Sequence, residues 1–392
     1  MCKLETTTPE RAFASAGRRV TALLLCLALL CLTARPARAS GAGVIVVEAA
    51  TGRVVYEDNA DERMPMASTT KIMTALLTLE AGNLDEWFKV DDKAILVEGS
   101  SMGLKVGDQA TLRALCVGML LSSGNDAANA AAVRVAGSID KFVERMNARA
   151  AELGMTNTSF ETPSGLDGER HYSTARDMAI LTAAALRNPD FAAICREKNI
   201  MVEFGNPPSS VTLYNHNKLL AKYEGAIGVK TGFTKKSGRC LVSAAERDGV
   251  TLICVTLGVY DYWNMHAQLL DDGFSKLTPH EQPSRLLPDT VPVTGGEAAT
   301  VGVRQLETPV IPLLPGETEA EERLVLPPFL YAPVLAGQQV GYVQYLLNGV
   351  EVARTPVVTT GPVSRLDQPA EHWSLWEWLF GTSEEEQTDS AS

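Results

Sequence analysis

The chain has 392 residues, a formal net charge of −12, and 45% hydrophobic and 21% charged residues. This length allows a large core and more than one domain, and the composition is ordinary for a globular protein. The acidic balance argues against nucleic acid or an anionic surface as the main partner.

The first 39 residues have the layout of a secretory signal. Arg18 and Arg19 precede an apolar run from Val20 to Leu32, and Ala37-Arg38-Ala39 follows as a small-x-small cleavage site. The run is too short for a good membrane span. We therefore predict that residues 1–39 are removed on export. Because that segment holds six basic and two acidic residues, the remainder carries a net charge of −16.

Four cysteines lie beyond this signal: Cys116, Cys195, Cys240 and Cys254. They are too few for a disulfide scaffold. Cys240 and Cys254 lie in two apolar runs joined by Asp248-Gly249, which predicts a two-residue hairpin turn. In that register residue 254 lies opposite residue 243. Because residues 240 and 243 of the same strand point to opposite faces, the thiols of Cys240 and Cys254 also point to opposite faces, and we predict that they are not bonded. We interpret all four as small buried hydrophobes.

The first part of the chain predicts a sheet with helices packed on it. Gly43–Glu48 and Arg53–Tyr56 form an opening hairpin, and residues 84–110 look loop-rich. Within the stretch 64–79 a helix is predicted to start at Pro65 and the hydroxyl residues before Ile72, where the apolar residues begin to recur at helical spacing. Further helices are predicted at Thr111–Leu121, Asp126–Val135, Ile139–Leu153, Thr174–Leu186, Asp190–Arg196 and about 261–276. Strands are predicted from Ile227, at Gly238–Glu246 and at Val250–Val259. We therefore expect an α/β (α+β) domain over residues 40–278, with an antiparallel sheet flanked by helices.

The next segment predicts a second, smaller domain. Residues 279–292 carry four prolines and no periodicity, so we expect a linker there. Asn348-Gly349 is a strong hairpin signal, and residues 293–363 as a whole predict a small all-β domain. Its short β-like runs are Ala299–Leu306, Arg323–Leu326, Gln339–Leu347 and Val350–Val358.

The C-terminal residues form a short amphipathic, tryptophan-rich segment (370–382) and an acidic tail (383–392). The nine residues His372–Phe380 cannot span a bilayer. The stretch Trp373–Phe380 could lie in the lipid interface and attach the protein peripherally to a membrane. The alternative is docking onto the β domain, and the acidic tail disfavours anionic lipid.

Three short motifs occur in order along the chain. Ser68-Thr-Thr-Lys71 places a hydroxyl and an amine one turn apart at a helix start, which are the parts of an activated nucleophile. Ser123-Gly-Asn125 lies in a break between two helices, and Lys230-Thr-Gly232 ends a strand-like run. Each alone could be a helix cap or an ordinary surface lysine. Their joint occurrence favours a catalytic site.

No metal or other cofactor is predicted. The histidines are scattered, with neither an i, i+4 helical pair nor an H-E-x-x-H motif. Lysine can serve as the base, so no histidine is needed. The histidines are at positions 171, 216, 266, 280 and 372.

The three motifs resemble the S-x-x-K, S-x-N and K-T-G signature of penicillin-recognising serine enzymes. More closely, the chain is similar to the low-molecular-mass penicillin-binding proteins, the serine-type D-Ala-D-Ala carboxypeptidases. The stretches Thr162–Asp167, Ser173–Asp177 and Gly228–Thr234 also match, and the resemblance covers most of the chain after residue 39. It implies a β-lactamase/transpeptidase-like fold and an exported, extracytoplasmic enzyme, attached peripherally to the outer face of the cytoplasmic membrane if the tail binds lipid. The implied partners are peptidoglycan stem peptides ending in D-Ala-D-Ala, with β-lactam antibiotics as covalent inhibitors.

The resemblance also implies catalytic roles. Ser68 would be the nucleophile that forms an acyl-enzyme with the penultimate D-Ala carbonyl. Lys71 would be the general base, in neutral form, its pKa depressed by burial beside Lys230. Ser123 would relay a proton to the leaving D-Ala, and Asn125 would hold the substrate amide.

Substrate binding is implied for the third motif. Lys230 and Thr231 would bind the terminal carboxylate. Gly232 would let the peptide backbone approach the strand, as in strand addition. The backbone N–H groups of Ser68 and Phe233 would form the oxyanion hole.

Three alternatives stay open. A serine β-lactamase would need a general base for fast deacylation, but residues 154–200 hold no convincing E-x-x-L-N stretch, and the middle motif reads Ser-Gly-Asn, not Ser-Asp-Asn. A non-catalytic wall-binding scaffold would be free to lose Ser68, Lys71, Ser123 and Lys230, which are all present. Endopeptidase cleavage of cross-links is compatible with the same motifs.

Overall fold

The computed structural model describes residues 41–367. The predicted signal (1–39), the tryptophan-rich segment (370–382) and the acidic tail (383–392) lie outside the described residues. Within residues 41–367, none of the helices has the length and apolar character needed to cross a membrane.

The helices begin and end where local sequence signals place them. Thr111, Ser138 and Thr174 each accept a hydrogen bond from a backbone N–H in the first turn of the helix that follows. Pro189 opens one helix, and Gly137 ends another in the left-handed conformation. The helices are α1 (Lys71–Glu80), α2 (Leu112–Leu121), α3 (Asn125–Ala136), α4 (Ile139–Glu152), α5 (Ala175–Leu186), α6 (Pro189–Arg196), α7 (Leu219–Lys222) and α8 (Tyr262–Lys276).

A central antiparallel sheet carries the helices. Its strand order is β2-β1-β9-β8-β7, so β7 is an edge strand. The strands are β1 (Gly43–Glu48), β2 (Val54–Asp58), β7 (Ala226–Thr234), β8 (Gly238–Arg247) and β9 (Val250–Leu257). The short pieces β3 (Phe88–Lys89) and β4 (Gln109–Ala110) join β5 (Asn199–Gly205) and β6 (Pro208–Tyr214) in a separate small sheet.

The predicted register of the β8–β9 hairpin is confirmed. Asp248 and Gly249 both have positive φ, as the two-residue turn requires, and Ser243 lies opposite Cys254. Within the described residues, the four cysteines are buried and unbonded.

The two faces of the central sheet pack against different partners. Even-numbered residues of β8, such as Cys240 and Val242, join the large core shared with α1, α2 and α5. Odd-numbered residues, such as Leu241, pack with α8 in a smaller core. The antiparallel sheet flanked by helices is confirmed, and the even face of β8 is the one turned towards α1.

The C-terminal part is all β, as predicted, and Asn348-Gly349 forms a turn with positive φ at both residues. A six-stranded sheet has the order β14-β16-β17-β12-β11-β15, and β10 pairs with β13. The strands are β10 (Thr278–Glu281), β11 (Thr290–Thr294), β12 (Thr300–Gln305), β13 (Val310–Leu313), β14 (Glu321–Val325), β15 (Leu330–Tyr331), β16 (Gln339–Leu347) and β17 (Val350–Thr359).

The local structure adds to the sequence analysis at two places. The predicted linker 279–292 is not free of regular structure, because its first residues belong to β10 and its last to β11. In a two-stranded pair each strand has a free edge, so Pro279 in β10 can lack an N–H at no cost. Residues 199–214, where no element was predicted, form the β5–β6 hairpin. Pro207 lies in its turn and Pro208 is the first residue of β6, opposite Gly205, so neither proline interrupts the ladder.

Candidate active site

Ser68 lies in a 3₁₀ turn, Ala67–Thr70, that leads directly into α1. The α-helix itself therefore begins at Lys71, three residues later than the start expected from the motif. The Lys71 Nζ atom is 2.9 Å from the Ser68 Oγ atom. The predicted hydroxyl–amine pair is thus within hydrogen-bonding distance.

Lys71 is fully buried, and oxygen atoms surround its amine. Besides Ser68, Nζ contacts Asn125 Oδ1 at 2.7 Å and the Ser164 carbonyl oxygen at 2.5 Å. Asn125 Oδ1 and the Ser164 carbonyl can only accept hydrogen bonds. A neutral amine has two protons for these two acceptors, which leaves its lone pair for the Ser68 hydroxyl proton. The geometry therefore suits a base acting on Ser68.

The electrostatics favour that neutral form. Burial first, and the charge of Lys230 second, hold the pKa of Lys71 well below its ordinary value of 10.5, against an opposing effect of Asp126. Burial also lowers the pKa of Lys230 to about 7. Lys230 therefore carries its charge only part of the time near neutral pH, and a bound carboxylate would stabilise the charged form.

The backbone is strained at three points of this site. Most non-glycine residues with positive φ are Asn or Asp in turns, but Ala67, Ser123 and Val229 are exceptions. Ala67 immediately precedes Ser68, and Val229 immediately precedes Lys230. For a β-branched residue such as Val229, a φ of 115° is a true outlier. Strain of this kind persists only where the surrounding structure holds it, and it concentrates at functional sites.

Asn125 links Lys71 to the loop 98–104. Its Oδ1 faces Lys71, while its Nδ2 donates to the Glu98 carbonyl at 2.7 Å. The next residue, Asp126, is buried and accepts hydrogen bonds from the backbone N–H groups of residues 102–104 and from the Ser101 hydroxyl. Both ends of the Asn125 amide are therefore already engaged. Ser123 is buried, and its Oγ makes no hydrogen bond within residues 41–367.

The third motif places β7 tightly against the Ser68 turn. A Cβ atom at Gly232 would lie 3.1 Å from the Ser68 N and Met66 O atoms. A side chain at this position would force β7 or the Ser68 turn to shift by a few tenths of an ångström, so glycine allows their close approach. The Lys230 side chain is buried, Thr231 is half-buried and Phe233 is 64% exposed.

Several contributors to this site carry no signal in the sequence motifs. The Ser164 carbonyl belongs to the matching stretch 162–167, but nothing in its sequence predicts a contact with Lys71. His171 is a second contributor that the sequence motifs do not indicate. Its Nδ1 accepts a hydrogen bond from the Glu161 N–H at 2.9 Å, and its Nε2 lies 2.8 Å from the Thr70 Oγ1. The ring therefore carries its proton on Nε2 and ties the loop before it to the Ser68–Lys71 turn. Within residues 41–367, no three His, Cys, Asp or Glu side chains are grouped closely enough to hold a metal ion.

The lowered pKa values predict a pH dependence of stability. Both lysines bind protons less tightly when folded, so the unfolded chain holds more protons at neutral pH and the free energy of unfolding rises with pH. The variant Lys230→Met removes one of these groups. We expect it to reduce the rise in the free energy of unfolding between pH 7 and about pH 8.5 by about 2 kcal/mol. Chemical denaturation at a series of pH values measures this. An unchanged pH slope in the variant would contradict a lowered Lys230 pKa.

Comparison with known proteins agrees with the family resemblance of the three sequence motifs. The family model Peptidase_S11, described as D-alanyl-D-alanine carboxypeptidase, matches residues 32–261. D-alanyl-D-alanine carboxypeptidase DacF of Bacillus subtilis is 33% identical over 328 residues, which are 80% of this chain and 83% of that protein. DacC of Escherichia coli is 34% identical over 334 residues, covering 80% and 82%.

Solved structures agree in fold. The crystal structure of the D-alanyl-D-alanine carboxypeptidase DacD from Francisella tularensis has a TM-score of 0.60 and 28% identity, and covers 82% of this chain and 93% of that one. The likeness therefore includes the C-terminal β part as well as the catalytic part. The chain belongs to the D-alanyl-D-alanine carboxypeptidase family, the serine enzymes of the low-molecular-mass penicillin-binding proteins.

Proposed function

We propose that the chain removes the terminal D-Ala from peptidoglycan stem peptides through an acyl-enzyme at Ser68, and that penicillins acylate the same hydroxyl. The observation that carries this proposal is the buried Lys71 amine, 2.9 Å from Ser68 Oγ and with a pKa held well below its ordinary value. Neutral Lys71 takes the hydroxyl proton as Oγ attacks the penultimate D-Ala carbonyl. The C–N bond then breaks, Ser123 passes a proton to the departing D-Ala amine, and water hydrolyses the ester.

The third motif supplies the substrate contacts in this proposal. Charged Lys230, with the Thr231 hydroxyl, binds the terminal carboxylate, and the N–H groups of Ser68 and Phe233 stabilise the oxyanion. The outer edge of β7, which pairs with no other strand within residues 41–367, accepts the peptide as an added strand. Asn125 orients Lys71 through Oδ1. Its Nδ2 gives up the hydrogen bond to the Glu98 carbonyl and donates to the substrate amide instead.

The setting of the reaction follows from the substrate. Peptidoglycan stem peptides lie outside the cytoplasmic membrane, so we place the enzyme there, exported by residues 1–39. We further propose that residues 40–278 form the catalytic domain and residues 293–363 a supporting β domain. Peripheral attachment to the outer face of the membrane through Trp373–Phe380 remains part of this proposal.

The Lys71 environment favours a carboxypeptidase over a β-lactamase. Fast hydrolysis of a penicilloyl ester needs a second base close to Ser68. Within residues 41–367, the Lys71 amine contacts a hydroxyl, an amide oxygen and a carbonyl, and no carboxylate is hydrogen-bonded to it. Two acidic residues of the nearby loop have other partners, because Glu161 receives hydrogen bonds from Arg170 and Asp167 receives one from the Thr234 hydroxyl. We therefore expect penicillin to stay attached.

The test compares three substrates with the purified chain lacking residues 1–39. We expect D-Ala release from a pentapeptide ending in D-Ala-D-Ala, no cleavage of a cross-linked dimer, and a stable adduct with fluorescent penicillin. Mass spectrometry and gel fluorescence measure the products. Rapid penicillin turnover would establish the β-lactamase, dimer cleavage the endopeptidase, and inertness towards all three the scaffold.

A further inference from the structure

His171 closes a loop, residues 161–171, that lies beside the nucleophile turn. Its Nδ1 accepts a hydrogen bond from the N–H of Glu161, where the loop begins, and the histidine itself lies where the loop ends. Just outside these two positions, Ser159 and Tyr172 exchange two backbone hydrogen bonds, at 2.9 and 3.0 Å. The imidazole ring therefore adds a side-chain link to the backbone pairing that brings the two ends of the loop together.

The same ring also fixes this loop to the turn that holds the nucleophile. Its Nε2 lies 2.8 Å from Oγ1 of Thr70, the residue immediately before Lys71. The loop fits closely against that turn, because a Cβ atom at Gly165 would overlap the Ala67 carbonyl oxygen. Within this fitted segment, the Ser164 carbonyl oxygen lies 2.5 Å from the Lys71 amine. The position of that carbonyl therefore depends on how the loop is held.

The His171 ring is neutral near neutral pH. It is buried, and burial lowers its pKa to about 4. Among the charged groups that act on the ring, Glu161 and Asp167 favour the protonated form. Lys236 and Lys71 oppose it. A protonated ring would have no acceptor for the Glu161 N–H, so the two hydrogen bonds of the ring require the neutral form.

We propose that His171 is a positioning residue for the general base: its two hydrogen bonds keep the Ser164 carbonyl against the Lys71 amine. That carbonyl accepts one of the two protons of the neutral amine, and the lone pair is thereby directed at the Ser68 hydroxyl. Without the bonds of the ring, the carbonyl can turn away and water can enter beside the amine. This role rests on the proposed function, because it concerns Lys71 acting as a base.

The test measures the rate of penicillin acylation across pH in the chain lacking residues 1–39. The variant His171→Phe keeps a buried ring and loses both hydrogen bonds. We expect acylation to slow by about 10²-fold, the cost of a small displacement of a reacting group. Burial is the largest cause of the lowered pKa of Lys71, so water admitted beside the amine should also move the midpoint of the pH–rate profile to higher pH.

A rescue variant and a matched control accompany His171→Phe. In His171→Gln the amide can still donate to Thr70 Oγ1, so part of the rate and of the midpoint should return. The control is His266→Phe in α8, which should lower thermal stability and leave the midpoint unchanged. Like His171, His266 is buried, and its two ring nitrogens lie 2.6 Å from Ser243 Oγ and 2.9 Å from Thr256 Oγ1.

Two results would overturn this role of His171. One is a folded His171→Phe variant with the pH midpoint of the parent protein. The other is an equal shift of the midpoint in His266→Phe, because the shift would then report general loss of stability. If His171→Phe does not fold, Thr70→Val decides, since it removes the hydroxyl partner of the ring at constant shape: a shifted midpoint supports the role and an unchanged one overturns it. Failure of the proposed function is distinguishable, since penicillin would then not acylate the parent protein.

Discussion

Replacing Ser68 by alanine should abolish D-Ala release and penicillin labelling together, with a loss of at least about 10⁴-fold in kcat/KM. The variant lacks the oxygen that forms the ester, so the remaining groups can bind substrate but cannot be acylated. The removed atom contacts Lys71 Nζ and is only half-buried, so the fold should persist with a small change in stability. Gel fluorescence after incubation with labelled penicillin, and D-Ala quantitation, measure the two losses.

The matched control is Ser209→Ala on the exposed β5–β6 hairpin, which should retain full labelling and full D-Ala release. Thermal unfolding of both variants checks their folds. Ser68→Ala protein that is folded and still labels would place the nucleophile elsewhere and remove the basis of the proposed mechanism.

Lys71→Arg should reduce the penicillin acylation rate by about 10³-fold, within the range that a general base contributes. Arginine keeps a donor group towards Asn125 and the Ser164 carbonyl, but its guanidinium stays protonated and cannot accept the Ser68 proton. Raising the pH to about 10 should not restore the rate. In the parent protein the rate should instead rise from acidic pH as Lys71 loses its proton, with a midpoint well below 10.5.

Stopped-flow measurement of the acylation rate across pH tests whether the rate of the parent protein rises as Lys71 loses its proton. Lys89→Arg, at an exposed ion pair with Asp92, is the matched control and should leave the rate unchanged. Because Lys71 is fully buried, the larger side chain could perturb folding. Lys71→Met, of similar shape and without a base, provides the second variant. Near-normal acylation in both folded variants would mean that Lys71 does not activate Ser68.

Local signals in the sequence determined much of the secondary structure. Helix caps at Thr111, Ser138 and Thr174 and the Asp248-Gly249 turn act within a few residues of the chain, so their structural effect can be predicted directly. The same turn sets the register that separates Cys240 from Cys254. The β5–β6 hairpin and strand β10 were missed because prolines at a turn or a free strand edge resemble breaks until the neighbouring strand is known.

In the candidate active site too, the sequence and the tertiary structure determined different features. The sequence by itself determined which side chains could react, since Ser68-Thr-Thr-Lys71, Ser123-Gly-Asn125 and Lys230-Thr-Gly232 appear in order on suitable elements. Only the tertiary structure decided which of them are in contact and how deeply they are buried. The Ser164 carbonyl that holds Lys71 is backbone and has no residue signature, and it comes from a loop 93 positions along the chain. The lowered pKa of Lys71 depends on burial and on the charge of Lys230, which are properties of packing between distant segments, not of any local motif.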